Sequence, residues 1–433
     1  MIRHNNILRS CLVALAAATA LTSCLKDQED YFDTPASERL QNKIEQVKQT
    51  LRSSPYGWEF EYYPGSELAY GGIVYTVRFD SLTATVGCSL MPDSTETTFY
   101  RVTNDNGPVL TFDTYNRLLH YFSTPSTGEY EAKGGEFEFV VNDVTDTLIT
   151  LYGKKTRNTM YLRRFTHSAD DYAAKTVAMY DSIAAGFTGT VGGTPVEGRL
   201  SIMDKQLTVD AAGVTATVPF AFTDRGIHLY RPLSIGGVAV QTLAYDIRSD
   251  RFTCLDPGAH DVELHGVPSP DGVVRFADYA GKYTLRYSGR TTVSVTLVPS
   301  RMDGTYRLRG LSPKFELVLN YDRETGNLTL APQIVGDING ASVYLLTFSS
   351  TTGRVWLNDA ASLTLTWNKS IARVAYQFSA TNPDLYPCDS AILYMIYYDE
   401  EGNASAKAVT DPEWLVNGSA MLTALTSLQR QNR

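Results

Sequence analysis

Trp58-Glu59-Phe60-Glu61-Tyr62 is the stretch that decides the class of fold. Trp58, Phe60 and Tyr62 fall on one side of an extended chain, Glu59 and Glu61 on the other. That period of two marks a strand with one buried face. The same reading extends downstream through Ile73–Asp80, Leu82–Gly87, Thr98–Thr103, Val109–Phe112, Glu136–Val141, Asp146–Tyr152 and Thr159–Phe165. Turn signals separate these runs, among them Asn104-Asp105-Asn106-Gly107-Pro108 and Gly134-Gly135. Short strands at such spacing predict an antiparallel sandwich or a lipocalin-like barrel and argue against parallel βαβ units.

Upstream the period is helical. Thr34-Pro35 reads as an N-cap with proline at the first helical position, and Leu40, Ile44, Val47 and Leu51 form one apolar stripe. Pro55 and Gly57 end this helix. A second helix is predicted from Ala169 to Ala185, with Tyr172, Thr176, Tyr180 and Ile183 on one face and Gly186 as the stop. Strands then resume over Gly198–Ile202, Gln206–Asp210, Thr215–Phe222, Gly226–Tyr230, Ala239–Ile247 and Phe252–Leu255. The order of helix then meander thus occurs twice. Phe99–Val102 with Val109–Phe112 is echoed by Pro219–Phe222 with Ile227–Tyr230, a pattern consistent with duplication.

Pro257, Pro268, Pro270 and Gly272 mark a boundary, beyond which Tyr279–Tyr283 opens a third β-rich unit. Its strands read as Thr291–Val298, Thr305–Arg309, Phe315–Tyr321, Asn327–Ala331, Val343–Phe348, Ser362–Trp367 and Ile392–Tyr398. Met302-Asp303-Gly304 and Glu324-Thr325-Gly326-Asn327 have the residue types of tight hairpin turns. Met421, Leu422, Leu425 and Leu428 predict a terminal helix. The expectation is a mainly β, multi-domain chain with a few flanking helices. Its units are 36–166, 167–270 and 275–433, the first two able to dock as one domain.

The N-terminus reads as an address. Arg3 and Arg9 precede the apolar run Cys11–Leu21, too short for a comfortable membrane span, and Leu21-Thr22-Ser23-Cys24 closes it in the manner of a bacterial lipoprotein signal. Residues 1–23 are then a signal peptide, Cys24 carries the lipid, and residues 24–35 are an acidic tether. Removing the signal deletes two arginines and no acidic residue, so the formal charge of −9 becomes about −11. An acidic chain without basic runs is a poor match to nucleic acid, whose binding rests on Lys and Arg. At 43% hydrophobic and 20% charged residues, the 433-residue chain has the composition of a protein that builds a core.

Cys88, Cys254 and Cys388 remain in the mature chain; three thiols do not make a disulfide scaffold, and buried free cysteines are the simpler reading. No nucleophile elbow, paired-histidine zinc motif, phosphate-binding loop, dinucleotide fingerprint or calcium loop is present, and no cofactor is expected. Asp261, Glu263 and His265 alternate so that an extended chain would put all three on one face, a weak metal candidate against the plain alternative of a solvated edge strand. The chain has 27 Tyr against 4 Trp, and Tyr56, Tyr63, Tyr70, Tyr394, Tyr397 and Tyr398 offer ring faces for sugars, although packing in sheets uses the same residue. Ser81, Ser94, Thr147, Ser182 and Ser390 each follow an aspartate in a pattern that resembles the O-glycosylation motif of exported Bacteroidetes proteins; Asp-Ser/Thr is also ordinary turn and cap chemistry.

Four further stretches stand together: Ser54–Pro64, Gly107–Asn116, Gly134–Phe139 and Leu151–Thr156. They resemble the Bacteroidetes lipoproteins catalogued as domain of unknown function 4302, most clearly over residues 24–165. Lys26-Asp27-Gln28-Glu29-Asp30 likewise resembles the surface-export signal of such lipoproteins. The resemblance implies an outer-membrane, lipid-anchored protein that faces the cell surface, and it carries no catalytic residue across. The expected function is non-enzymatic capture of a glycan, peptide or envelope-protein partner. The alternatives are an envelope hydrolase with dispersed carboxylates, or a structural or adhesive surface module.

Overall fold

The computed structural model describes residues 35–125, 132–267, 273–370, 374–398, 401 and 404–431. Residues 1–34 lie outside that set, and with them the expected signal, the expected lipidation site Cys24, nearly all of the expected tether and the expected Thr34 cap. So do Pro268, Pro270 and Gly272.

The first helix, Ala36–Arg52, buries Ile44, Val47 and Leu51 as its stripe predicts. Pro35 stands one residue before the helix and its carbonyl accepts from the Arg39 N–H, 3.0 Å away. At the other end the Trp58 indole N–H donates to the Leu51 carbonyl at 2.7 Å, satisfying an acceptor the helix leaves open. Between them the chain turns at Gly57, whose φ is +84° and whose added Cβ would lie 2.7 Å from the Val77 carbonyl oxygen. Helix end, turn and first strand are therefore one unit.

Among the described residues three eight-stranded antiparallel barrels are closed. In the first, the strand Trp58–Tyr62 pairs with Ile73–Phe79 on one side and with Thr159–Arg164 on the other, which removes both sheet edges. Trp58, Phe60 and Tyr62 are wholly buried, and Phe60 meets Phe139 edge-to-face at 5.1 Å. In the second barrel, Gly186–Val191 and Val262–Gly266 close the ring. The repeated helix, Ala169–Ser182, precedes it, N-capped by Ser168. The two hairpins that echo one another in sequence are the fourth and fifth strands of their barrels, with Tyr100 opposite Phe112 in one and Phe220 opposite Leu229 in the other.

The third barrel is interrupted. Gln333–Ile338, Ala341–Phe348 and Val355–Trp356 leave it between its fifth and sixth strands. Ser390–Tyr398, Ala404–Ala408 and Met421–Leu422 leave it between the seventh and eighth. These six strands form a separate sheet. Ser427–Arg430 then returns to pair with both Gly281–Tyr287 and Ala375–Ala380. The expected terminal helix is thus two strands. Its apolar spacing arises because Leu422, Leu425 and Leu428 all reach the core around a left-handed turn at Ala424.

The first two barrels dock through the face that Glu59 and Glu61 occupy. Glu61 is 1% exposed: it accepts from the Tyr63 hydroxyl at 2.7 Å, from Arg163, and lies 2.8 Å from His228 Nδ1 on the second barrel. The Gly72 N–H donates to the Phe220 carbonyl at 2.9 Å, where a Cβ on Gly72 would lie 2.7 Å from that of Ala221. Tyr63 and Tyr230 pack edge-to-face at 4.7 Å.

Burial raises the Glu59 carboxyl from 4.5 to about 7, against the pull of Arg163. Burial also acts on Glu61, but the His228 hydrogen bond and the Arg163 charge outweigh it and bring that carboxyl down to about 2. Between pH 4.5 and 7 the folded chain keeps a proton on Glu59 that the unfolded chain releases, so this group makes stability fall as pH rises. Glu61 has the opposite sign: its contribution is present above pH 4.5 and is lost as pH falls toward 2. Urea midpoints from pH 3 to 8 should therefore rise for Glu59→Gln relative to the parent above pH 7. Glu61→Gln should lower the unfolding free energy from these titrations at pH 7 by about 3 kcal/mol or more, because Arg163 loses a buried partner.

Candidate functional site

The barrels are filled. The interior of the third retains a void of about 10 Å³ between leucines such as Leu285, Leu317 and Leu330, less than a small ligand needs. The large opening lies outside the barrels, between the second and the third, with a volume of about 710 Å³. Tyr180 from the second helix, Leu200 and Ile202 from the second barrel, and Phe276 and Tyr321 from the third form its apolar wall. Tyr180 and Phe276 are themselves in contact, with ring centroids 5.6 Å apart. A smaller recess of about 210 Å³ shares Phe276, Tyr321 and Arg323 with this cleft.

Charged groups around the cleft are mostly paired. Arg301 holds Asp181 through two hydrogen bonds of 2.9 and 2.7 Å. Arg275 holds Asp278 in the same way at 3.0 and 3.2 Å. Arg199 meets Glu197 at 3.2 Å and Asp210 at 2.7 Å. Asp322 is occupied by its own turn, accepting from Glu324 N–H and from the Thr325 hydroxyl at 2.9 and 2.7 Å. Arg323 differs: it donates to the Ile183 carbonyl and, among the described residues, has no carboxylate within salt-bridge distance.

The expected metal face does not assemble. Asp261 has a φ of +59° and precedes the strand Val262–Gly266, which breaks the alternation that would align it with Glu263 and His265. Glu263 is shared between Arg251 at 3.4 Å and His265 at 3.7 Å on an exposed face, and that strand is inside a closed barrel, not at an edge. Among the described residues no group of three or more His, Cys, Asp or Glu is placed to hold a metal ion. Cys88, Cys254 and Cys388 are free, the first and last buried.

Of the glycosylation candidates, Ser81 and Thr147 are exposed at turns and Ser94 and Ser182 are half-buried. Ser390 is wholly buried, donating to Asp389 at 2.7 Å and accepting from the Ala424 N–H at 2.8 Å, so a glycan has no access to it in the folded chain. Among the tyrosines, Tyr63 is buried between barrels, whereas Tyr56 and Tyr397 are exposed.

The stretches behind the family resemblance meet at one end of the first barrel. Glu136, 2% exposed, accepts from the N–H groups of Lys155 and Thr156 at 2.6 and 2.5 Å, which fastens the Gly134-Gly135 segment to the hairpin turn. Lys154 pairs with Asp105 at 2.8 Å and Glu138 at 3.3 Å, so it joins three segments. Outside this latch Tyr115, His120 and Phe137 stack in a row with centroid separations of 5.5 and 5.4 Å.

The family model described as domain of unknown function 4302 matches residues 28–247, just over half of the chain. The chain belongs to that family. A second model, domain of unknown function 4987, matches residues 255–394. The two matches meet within the second barrel, between its sixth strand, Val238–Asp246, and the end of its seventh, Arg251–Cys254. No curated protein matches the chain. Membership of family 4302 names no chemistry, and no helix among the described residues is long and apolar enough to cross a membrane.

Among the described residues of this family member, the most buried cation sits where all three barrels meet. Lys205 is 1% exposed and donates to the carbonyls of Met203 and Met302, both at 3.1 Å. Burial lowers its ammonium from 10.5 to about 8. The unfolded chain therefore holds more protons than the folded one between pH 8 and 10.5, and stability rises with pH through that window. Lys205→Met should abolish this rise, as read by denaturant midpoints at pH 7.5 and 10.

Proposed function

We propose that this protein is a lipid-anchored, surface-facing binding protein that captures a small ligand in the cleft between its second and third barrels. The observation that carries the reading is the cleft itself. At about 710 Å³ it lies in the range of small-molecule sites, roughly 300–1,000 Å³, and it combines an apolar wall with a few polar groups. Its described lining contains no histidine and no cysteine, and Ser201, which lines it, donates to Asp204 at 3.1 Å. That composition supplies no Ser–His or Cys–His pair for nucleophilic catalysis.

The anchor part of the proposal rests on Leu21-Thr22-Ser23-Cys24 and the acidic run after it. Cys24→Ala should abolish metabolic labelling with a radioactive or clickable fatty acid and move the protein out of the membrane fraction. Neutralising Lys26–Asp30 should leave labelling intact but protect the protein from protease added to whole cells. Labelling of Cys24→Ala at the parent level overturns the anchor.

For the cleft, Ser201→Trp places an indole at its exposed wall without touching the core. Glycan-array and peptide-pool binding by the chain from residue 25 onward should fall at least about tenfold in this variant. Binding that is unchanged assigns capture to another surface.

A further inference from the structure

We infer that the cleft takes a ligand bearing a single carboxylate on a ring or apolar body, and that Arg323 is the residue that holds the carboxylate. This rests on the reading of the cleft as the binding site and adds the ligand's chemistry to it. A guanidinium has five N–H donors in a planar fork that matches a carboxylate. Arg323 spends one on the Ile183 carbonyl and has no acidic partner among the described residues. Tyr321, Tyr180 and Tyr245 act on it most strongly, followed by Asp181, whose carboxylate Arg301 already holds. A cation in such a wall is costly unless an anion pairs with it.

The comparison with its neighbours sharpens this. Burial opposes the charge of Arg301 too, but Asp181 more than compensates and its pKa is raised. For Arg323 burial prevails, and its pKa is lowered. The chain thus neutralises Arg301 and Arg275 with bidentate aspartates and leaves Arg323 facing the cavity.

Charge count selects the class of anion. One unpaired guanidinium balances one negative charge. Arg199 also lines the cleft but is held by Glu197 and Asp210, and Asp322 and Glu324 add negative charge, which disfavours a doubly charged phosphate ester more than a single carboxylate. The rings of Tyr180, Phe276 and Tyr321 supply the surface against which a sugar ring or an apolar side chain packs. Uronic and sialic acid sugars, and acylated amino acids or peptide C-termini, are two sources of that chemistry.

The test uses calorimetric titration with glucuronate, N-acetylneuraminate and N-acetylphenylalanine, each against its methyl ester or amide. The parent, Arg323→Gln, Arg323→Lys and Ser201→Trp are compared, with thermal melts confirming that each variant folds. The expected result is binding of one or more acids but not of the uncharged forms, weakened about 10- to 100-fold in Arg323→Gln. Arg323→Lys should retain part of that affinity, and Ser201→Trp should lose it. Whether the sugar acids or the acyl amino acid bind identifies the source. Equal binding of acid and uncharged form, blocked by Ser201→Trp but not by Arg323→Gln, overturns the carboxylate and leaves the cleft standing. Binding untouched by Ser201→Trp, or no binding of any of the six probes, overturns both.

Discussion

The first two barrels share one buried carboxylate whose charge is satisfied from both sides of their interface. Glu61 projects from the outer face of a barrel strand, where a soluble barrel would meet water, and instead meets Tyr63, Arg163 and His228. A buried carboxylate is tolerable only with its hydrogen bonds satisfied, and here one of those bonds comes from the other barrel. Removing the second barrel would expose more than apolar surface at Gly72, Val74 and Tyr63. It would leave this ion cluster without His228. The interface is specified electrostatically as well as by shape, which is the best-attested use of buried polar groups.

The alternation in Trp58–Tyr62 was enough to read the strand, its inward face and the β class, because barrel strands with one core side follow a strict period. The two helices were legible for the same reason, through Val47 and Leu51 in one and Tyr172 and Tyr180 in the other. Duplication was legible only as a faint echo, and the structure shows that the echoing hairpins hold equivalent places in their barrels. What local pattern did not reveal was everything decided by distant partners. Glu61 reads as solvent-facing and is buried by a residue 167 positions away. Leu422 to Leu428 reads as a helix because period 3.6 and a tight turn between two short strands leave similar spacings. Asp261 reads as a neighbour of Glu263 until its left-handed backbone turns it aside.

The cleft was illegible for a related reason. Its walls come from a helix, a barrel and a second barrel separated by more than a hundred residues, and none of its residues forms a motif. Arg323 lies at a turn that the sequence marks plainly, yet its lack of an acidic partner is a property of packing alone. The filled barrels matter here too. Lipocalin-like architecture suggests a ligand inside the ring, but Phe60, Tyr62 and Phe139 occupy that space in the first barrel and leucines occupy it in the third.

The interrupted third barrel carries a consequence for how the chain comes to be made. Its first strand, Gly281–Tyr287, finds its closing partner only at Ser427–Arg430, roughly 140 residues later. The first two barrels close over about a hundred residues or fewer and finish as the chain emerges, one after the other. The third has to wait with two unpaired edges until Ser427–Arg430 is available, and long-range closure of this kind is slow and prone to mispairing. During synthesis, therefore, the vulnerable species is a chain with two finished barrels and an open third.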